Sequence, residues 1–246
     1  TTTGAGSSEA AAAAMAAGGA ATVTRQLSMM THAEPWTVIV GGGIGLLGAA
    51  VGYIFAVIHW TQMATYERFG LLDNKNAIYR AMVGGSVIVI LGMLIPHTMF
   101  WDEFEYEQLV TMAPASELPH VWPTSGLIGF EMNTPAKAFL VGFCKLVTIS
   151  CTVAAGLRGG FIFPLFAAGG IFGRALLSLF PTTTIAIPVP VAILCFSAGV
   201  NVAITRTALA TTLILAFLAG EPCAIPAILA ASLCSLFATA YVPFIK

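Results

Sequence analysis

Residues 35–60, PWTVIVGGGIGLLGAAVGYIFAVIHW, contain no charged side chain and have a tryptophan near each end, Trp36 and Trp60. A helix rises about 1.5 Å per residue, so about 20 apolar residues cross a bilayer's hydrocarbon and this run crosses it with tilt. Tryptophan favours the boundary between headgroups and tails, where a spanning helix holds both rings. Gly41, Gly45, Gly48 and Gly52 recur every three or four positions, which puts them on one helical face open to close approach by another backbone. As a phosphate cradle the same run lacks a P-loop lysine and a preceding strand.

The rest of the chain repeats this chemistry. It is 58% hydrophobic and 9% charged, against about 25% charged in a soluble domain, and a chain of this length cannot bury that much apolar surface in water. The sequence therefore predicts an all-α integral membrane protein. A net charge of −1 and the lack of any basic run leave no footprint for a nucleic acid. A second span is expected over 77–96, stopped by Pro96, and a third over 136–155. Between the first two lies a charge-mixed loop, 61–80. The stretch from 97 to 134 carries Asp102, Glu103, Glu105, Glu107, Glu117 and Glu131 with no Lys or Arg. Counting basic residues alone puts the 61–80 loop in the cytoplasm and the acidic stretch on the other side. The WDEFEYE string reads as a solvated face in preference to a catalytic carboxylate pair, and SGLIGFEMN (125–133) as a short re-entrant or interfacial element.

The five cysteines all lie in apolar segments without metal-ligand spacing and read as small buried hydrophobes. The four histidines fall near predicted segment ends and read as interfacial or loop residues. Residues 1–34 are low-complexity Ala, Gly, Ser and Thr, a linker or loop without the layout of a signal peptide. Lys145, inside the third span, is a functional candidate because a charge at that depth needs protein, water or an acid beside it; the alternative is a snorkelling or structurally paired lysine.

The string GLRGGFIFPLFAAGGIFGR (156–174) is apolar yet loaded with glycine, and Arg158 and Arg174 bracket it. After it come shorter apolar pieces at 188–205, 208–220 and 224–245, interrupted by prolines 181, 188, 190, 222, 226 and 243. Unequal pieces broken by Gly and Pro are expected of discontinuous helices that line a site inside a membrane. A helix start exposes unpaired N–H groups and the positive end of the macrodipole, which attract an anion. Gly159 and Gly160 let the backbone approach the ion, and Pro164 in the first turn sacrifices no needed N–H. The amides of Gly160, Phe161, Ile162 and Phe163 are then the candidate anion donors. The competing reading is a packing helix with Gly169 and Gly173 on its contact face.

At these residues the chain resembles the CLC family of chloride channels and chloride/proton antiporters. The resemblance runs through residues 36–245: the glycine-laddered helix, the span ending LIP, the acidic linker with GFE, the filter string, and VNVAITRTALATTLILAF. The family's filter motif is Gly-x-Phe-x-Pro; Gly160 and Pro164 match, while Ile162 takes the middle place. Arg206, Thr207, Ala208 and Leu209 stand where the family has an Arg-Ala-Pro-Leu helix start. Phe217 stands at the position of a family glutamate, a role not transferred to Glu221. The resemblance implies several things. Residues 35–246 would be the C-terminal of two inverted repeats, moving chloride or a related anion such as nitrate, with no catalysis and no cofactor besides the transported ion. The other repeat, a homodimeric partner and the bilayer would be the associates. Tyr241 is the candidate for a family tyrosine on the ion path, and Lys145 remains a second pathway candidate. Strings expected of the first repeat, Gly-Ser-Gly-Ile-Pro and Gly-Lys-x-Gly-Pro, do not occur in these residues. Two readings stay beside this one: a carrier of another anion on a broken-helix fold, and a non-transporting membrane assembly subunit. An intramembrane enzyme would need a Ser/Lys, Asp/Asp or His/Glu constellation, and none is found. The sequence is compatible with the plasma membrane and with an organelle membrane alike.

Overall fold

The computed structural model describes residues 34–99, 112, 126–157, 159–179 and 187–242. Expectations for 1–33, for the WDEFEYE string and for His32 and His120 lie outside these residues. Seven α-helices occur among the described residues: α1 Pro35–Arg68, α2 Ala77–Leu94, α3 Pro135–Ala154, α4 Ile162–Leu179, α5 Val189–Thr205, α6 Ala208–Ala219 and α7 Ile225–Ala238. No strand occurs among the described residues. Four of them have the length and hydropathy to cross a membrane: α1, α2 with its preceding turn, α3 and α4. The rest are shorter apolar helices.

α1, α5 and α7 form the centre of the bundle, and the glycine ladder explains how. A Cβ on Gly45 would fall 2.5 Å from Cα of Ala231 on α7, and one on Gly48 would fall 2.6 Å from the carbonyl oxygen of Phe196 on α5. Gly52 would strike Ala203 on α5 at 2.5 Å. The expected small-residue face is therefore present and is split between two partners, its first half against α7 and its second half against α5. In lipid the hydrophobic effect does not draw helices together, so close backbone contact of this kind supplies dispersion and polar contacts instead. The core around it includes Phe55, Leu146, Leu165, Phe166, Leu194 and Ile228, all buried.

α1 is longer than the apolar run. It has 34 residues, about 51 Å at the helical rise, and continues past Trp60 to Arg68. Thr61 and Thr65 sustain the extension by returning their hydroxyls to the carbonyls of Val57 and Thr61 at 2.8 and 2.7 Å. Conversely, α7 stops at Ala238, well before the end of the predicted 224–245 segment. The 126–129 stretch forms turns with positive φ at Gly126 and Gly129.

The reading of the histidines as interfacial or loop residues fits the position of His97, in the turn Pro96–Met99 after α2, and fails for His59, which lies inside α1. His59 is 3% exposed and His97 is fully buried. His59 sits where α1 meets α3, stacked on Phe55 with ring centroids 6.4 Å apart, its Nδ1 3.3 Å from the hydroxyl of Ser150. Ser150 donates to Gln62, and Gln62 donates to Cys151. Near a run's end in sequence, His59 is still inside the helix because α1 extends two turns beyond it.

Candidate functional site

The approach to α4 begins where α3 ends. Gly156 has φ +77°; its N–H bonds the Val153 carbonyl at 3.0 Å and the Leu157 N–H bonds the Thr152 carbonyl at 3.1 Å, the paired arrangement that closes a helix through a left-handed glycine. Arg80 reinforces the closure by donating from Nε to the Ala155 carbonyl at 3.3 Å. A side chain on Gly156 would also collide with the Arg80 guanidinium, at 2.8 Å.

Gly159, Gly160 and Phe161 then lead into α4, whose helical bonding opens with Leu165 N–H on the Phe161 carbonyl at 3.0 Å. Pro164 is the third residue of the helix, where no intrahelical donor is required. The N–H groups of Gly160, Phe161, Ile162 and Phe163 thus precede the helical ladder, and among the described residues no backbone carbonyl accepts from them. Nothing lies within 4 Å of a Cβ built on Gly159 or Gly160. Phe161 and Phe163 pack against the core, while Ile162 is 37% exposed. The result is a short row of amides without a described carbonyl partner at the positive end of an 18-residue helix.

α4 is held in place by its glycine face. A Cβ on Gly169 would meet Cα of Ser197 at 2.5 Å, and one on Gly173 would meet Cα of Ile193 at 2.9 Å. The Ser197 hydroxyl donates to the Phe166 carbonyl at 3.1 Å. Phe172 stacks on Phe196 with centroids 6.0 Å apart and touches Gly142 of α3. The packing role of Gly169 and Gly173 and the exposed start at Ile162 therefore belong to the same helix at different positions. Beside that start, a cleft of about 860 Å³ opens between Phe163 and α6, walled by Leu213, Ile214, Phe217, Gly220 and Pro222. Glu221, between the last two, is 6% exposed, and burial pushes its carboxyl pKa up from the usual range.

The other two sequence candidates are placed elsewhere. Lys145 is buried and donates from Nζ to the carbonyl of Thr98 at 2.9 Å, so it supports the short 3-10 turn Pro96–Met99 that follows α2. Tyr241 is 98% exposed in the turn after α7, which leaves its ring out of contact with the start of α4. Sequence reasoning also passed over a set of internal polar contacts. Asn201 donates to the hydroxyl of Thr211 at 2.8 Å, joining α5 to α6, and Ser235 donates to the Gly199 carbonyl at 2.7 Å, joining α7 to α5. An isolated Asn in the apolar string SAGVNVAIT was the available signal. Among the described residues no group of His, Cys, Asp or Glu is arranged to hold a metal.

Apolar helices of spanning length, shorter broken helices after them and polar side chains spent on internal bonds define an integral, multi-pass membrane protein. The chain belongs to the voltage-gated chloride channel family, whose model matches residues 4–240. Members of this family are transporters, and membership assigns the chain to chloride-channel or antiporter-type anion transport. No curated protein and no solved structure matches the chain.

Proposed function

We propose that the chain moves chloride, or a closely related anion such as nitrate, along a path that passes the start of α4. The ion would be held by the amides of Gly160, Phe161, Ile162 and Phe163, with Gly159 and Pro164 shaping the approach. The observation that carries this reading is the row of N–H groups ahead of Leu165 for which no described carbonyl competes. Partial charges suit transport: they stabilise a desolvated anion without the full charge that would hold it too tightly to release. No cofactor is required by this chemistry beyond the ion itself.

The same reading makes residues 35–246 the C-terminal of two inverted repeats, functioning with the first repeat in a homodimer. Large apolar side chains facing outward support it, among them Leu209 at 69%, Phe217 at 87% and Phe237 at 72% exposure; a complementary repeat, a second copy or lipid would cover them.

Ile162→Pro tests the site directly. Ile162 is the first helical residue, where proline fits the backbone and deletes one N–H. A charge-assisted hydrogen bond contributes about 1.5–3 kcal/mol, so chloride affinity by titration calorimetry should fall about tenfold or more, with Ile162→Ala unchanged as the side-chain control. Equal chloride affinity in the proline variant, with helicity intact by circular dichroism, would remove these amides from the ion path.

A further inference from the structure

Arg174 sits on α4 at the end opposite the proposed anion-binding amides, about 18 Å along the axis from Ile162. Its Nε is buried and has no hydrogen-bond partner among the described residues. The Ser178 hydroxyl, one turn on, is spent on the Arg174 carbonyl at 2.8 Å. The three helices that meet here, α3, α4 and α5, contain no Asp or Glu. A guanidinium stays charged at any accessible pH, so its counter-charge must come from outside this group of helices.

The depth of Arg174 follows from helix register. A Cβ on the preceding residue, Gly173, would lie 2.9 Å from Cα of Ile193 and 3.1 Å from the carbonyl oxygen of Ala192, in the opening turns of α5. Phe172 touches Gly142, in the second turn or so of α3. Arg174 is therefore level with the early turns of α3 and α5, and α3 is a helix of spanning length, whose start falls where hydrocarbon gives way to headgroups. Leu179 nearby is 56% exposed, an apolar surface on which an acyl chain can lie.

We propose that Arg174 binds the phosphate of a phospholipid, with its planar fork on two phosphate oxygens and the lipid tail along the exposed end of α4. Arginine suits this ligand because the fork matches phosphate geometry and keeps its charge beside hydrocarbon. The site is separate from the amides at the other end of the helix and does not depend on their binding chloride.

The test is native mass spectrometry of the full-length protein titrated with phosphatidylglycerol. The tightest lipid should bind about tenfold more weakly to Arg174→Gln, while Arg174→Lys, which keeps the charge but loses the fork, should fall between the two. Inorganic phosphate at matched concentration should fail to displace the lipid; displacement would show that a free oxyanion is the ligand and overturn the lipid assignment. Lipid affinity unchanged in Arg174→Gln also overturns it, as does a full-length structure that pairs Arg174 with a protein carboxylate. If Arg174→Gln does not fold, equal lipid affinity in Arg174→Lys and the native protein refutes the bidentate site.

Discussion

Arg206, at the break between α5 and α6, donates its guanidinium to the carbonyl oxygen of Thr239 beyond the end of α7. The same group reaches the carbonyls of Leu236 at 3.4 Å and Val242 at 3.1 Å. A helix ends with carbonyls that have no donor of their own, and here one side chain supplies donors to that end. Arg206 does so from a left-handed backbone, φ 61°, which turns the chain sharply between α5 and α6.

Arg206→Met should therefore release the segment after α7. A hydrogen bond to a charged group contributes about 1.5–3 kcal/mol, and Arg206→Met should lose about that much in thermal unfolding of the purified protein. Limited proteolysis should cut after Ala238 sooner than in the native chain. Unchanged cleavage would mean that α7 ends securely without the clamp.

Gly45 and Gly43 make a matched pair on α1. Gly45 faces the backbone of Ala231, whereas nothing lies within 4 Å of a Cβ on Gly43. Gly45→Val should cost about 3 kcal/mol or more and sharply reduce the monodisperse fraction in size-exclusion chromatography. Gly43→Ala should be neutral or slightly stabilising through its better helix propensity. Equal yields from both would contradict the close α1–α7 contact.

The α5–α6 link rests on Asn201 and Thr211. In a double-mutant cycle with Asn201→Leu and Thr211→Val, the coupling should be about 1 kcal/mol, within the range of interhelical hydrogen bonds in bilayers. Each single variant removes the bond from Asn201 Nδ2 to the Thr211 hydroxyl and leaves the remaining polar group buried without it, so the double variant should lose less stability than the sum of the single losses. Strict additivity would indicate that the two side chains do not interact.

Glu221 predicts a pH dependence. Its carboxyl pKa is raised in the folded chain because burial disfavours the charged form. The folded state therefore holds this proton more tightly than the unfolded chain, and the group's contribution is fully present below the unfolded pKa. It is lost as pH rises through the elevated folded value. Glu221→Gln should thus raise the melting temperature at pH 7, and the gain should vanish below about pH 4. A gain that persists in acid would point to another cause.

Hydropathy marked the spans wherever burial in lipid or protein was the deciding force, as in α2 and α3, whose ends lie within about two residues of the predicted boundaries. It missed the last two turns of α1 because Thr61 and Thr65 are polar in composition but bond their own helix. It overran α7 because Tyr241 and Val242 continue the hydropathy of the helix while the backbone has already gone over to turns, with the N–H groups of Ala240 and Val242 bonding carbonyls three residues back. The start of α4 was readable because glycines followed by a proline constrain the backbone locally. The partners of Lys145 and Arg206 were not, since Thr98 and Thr239 meet them only through the fold. His59 failed for the same reason: position along a run shows depth in the segment but not which neighbour faces the ring.

The glycine contacts among α1, α5 and α7 have a mechanical consequence. Where backbone rests on backbone, no layer of flexible side chains remains to absorb a shift, so these helices share displacements as a single stiff body. Any rearrangement that accompanies ion passage has to be taken up at the periphery, by hinges such as the Arg206 break or by α6 swinging against that unyielding block.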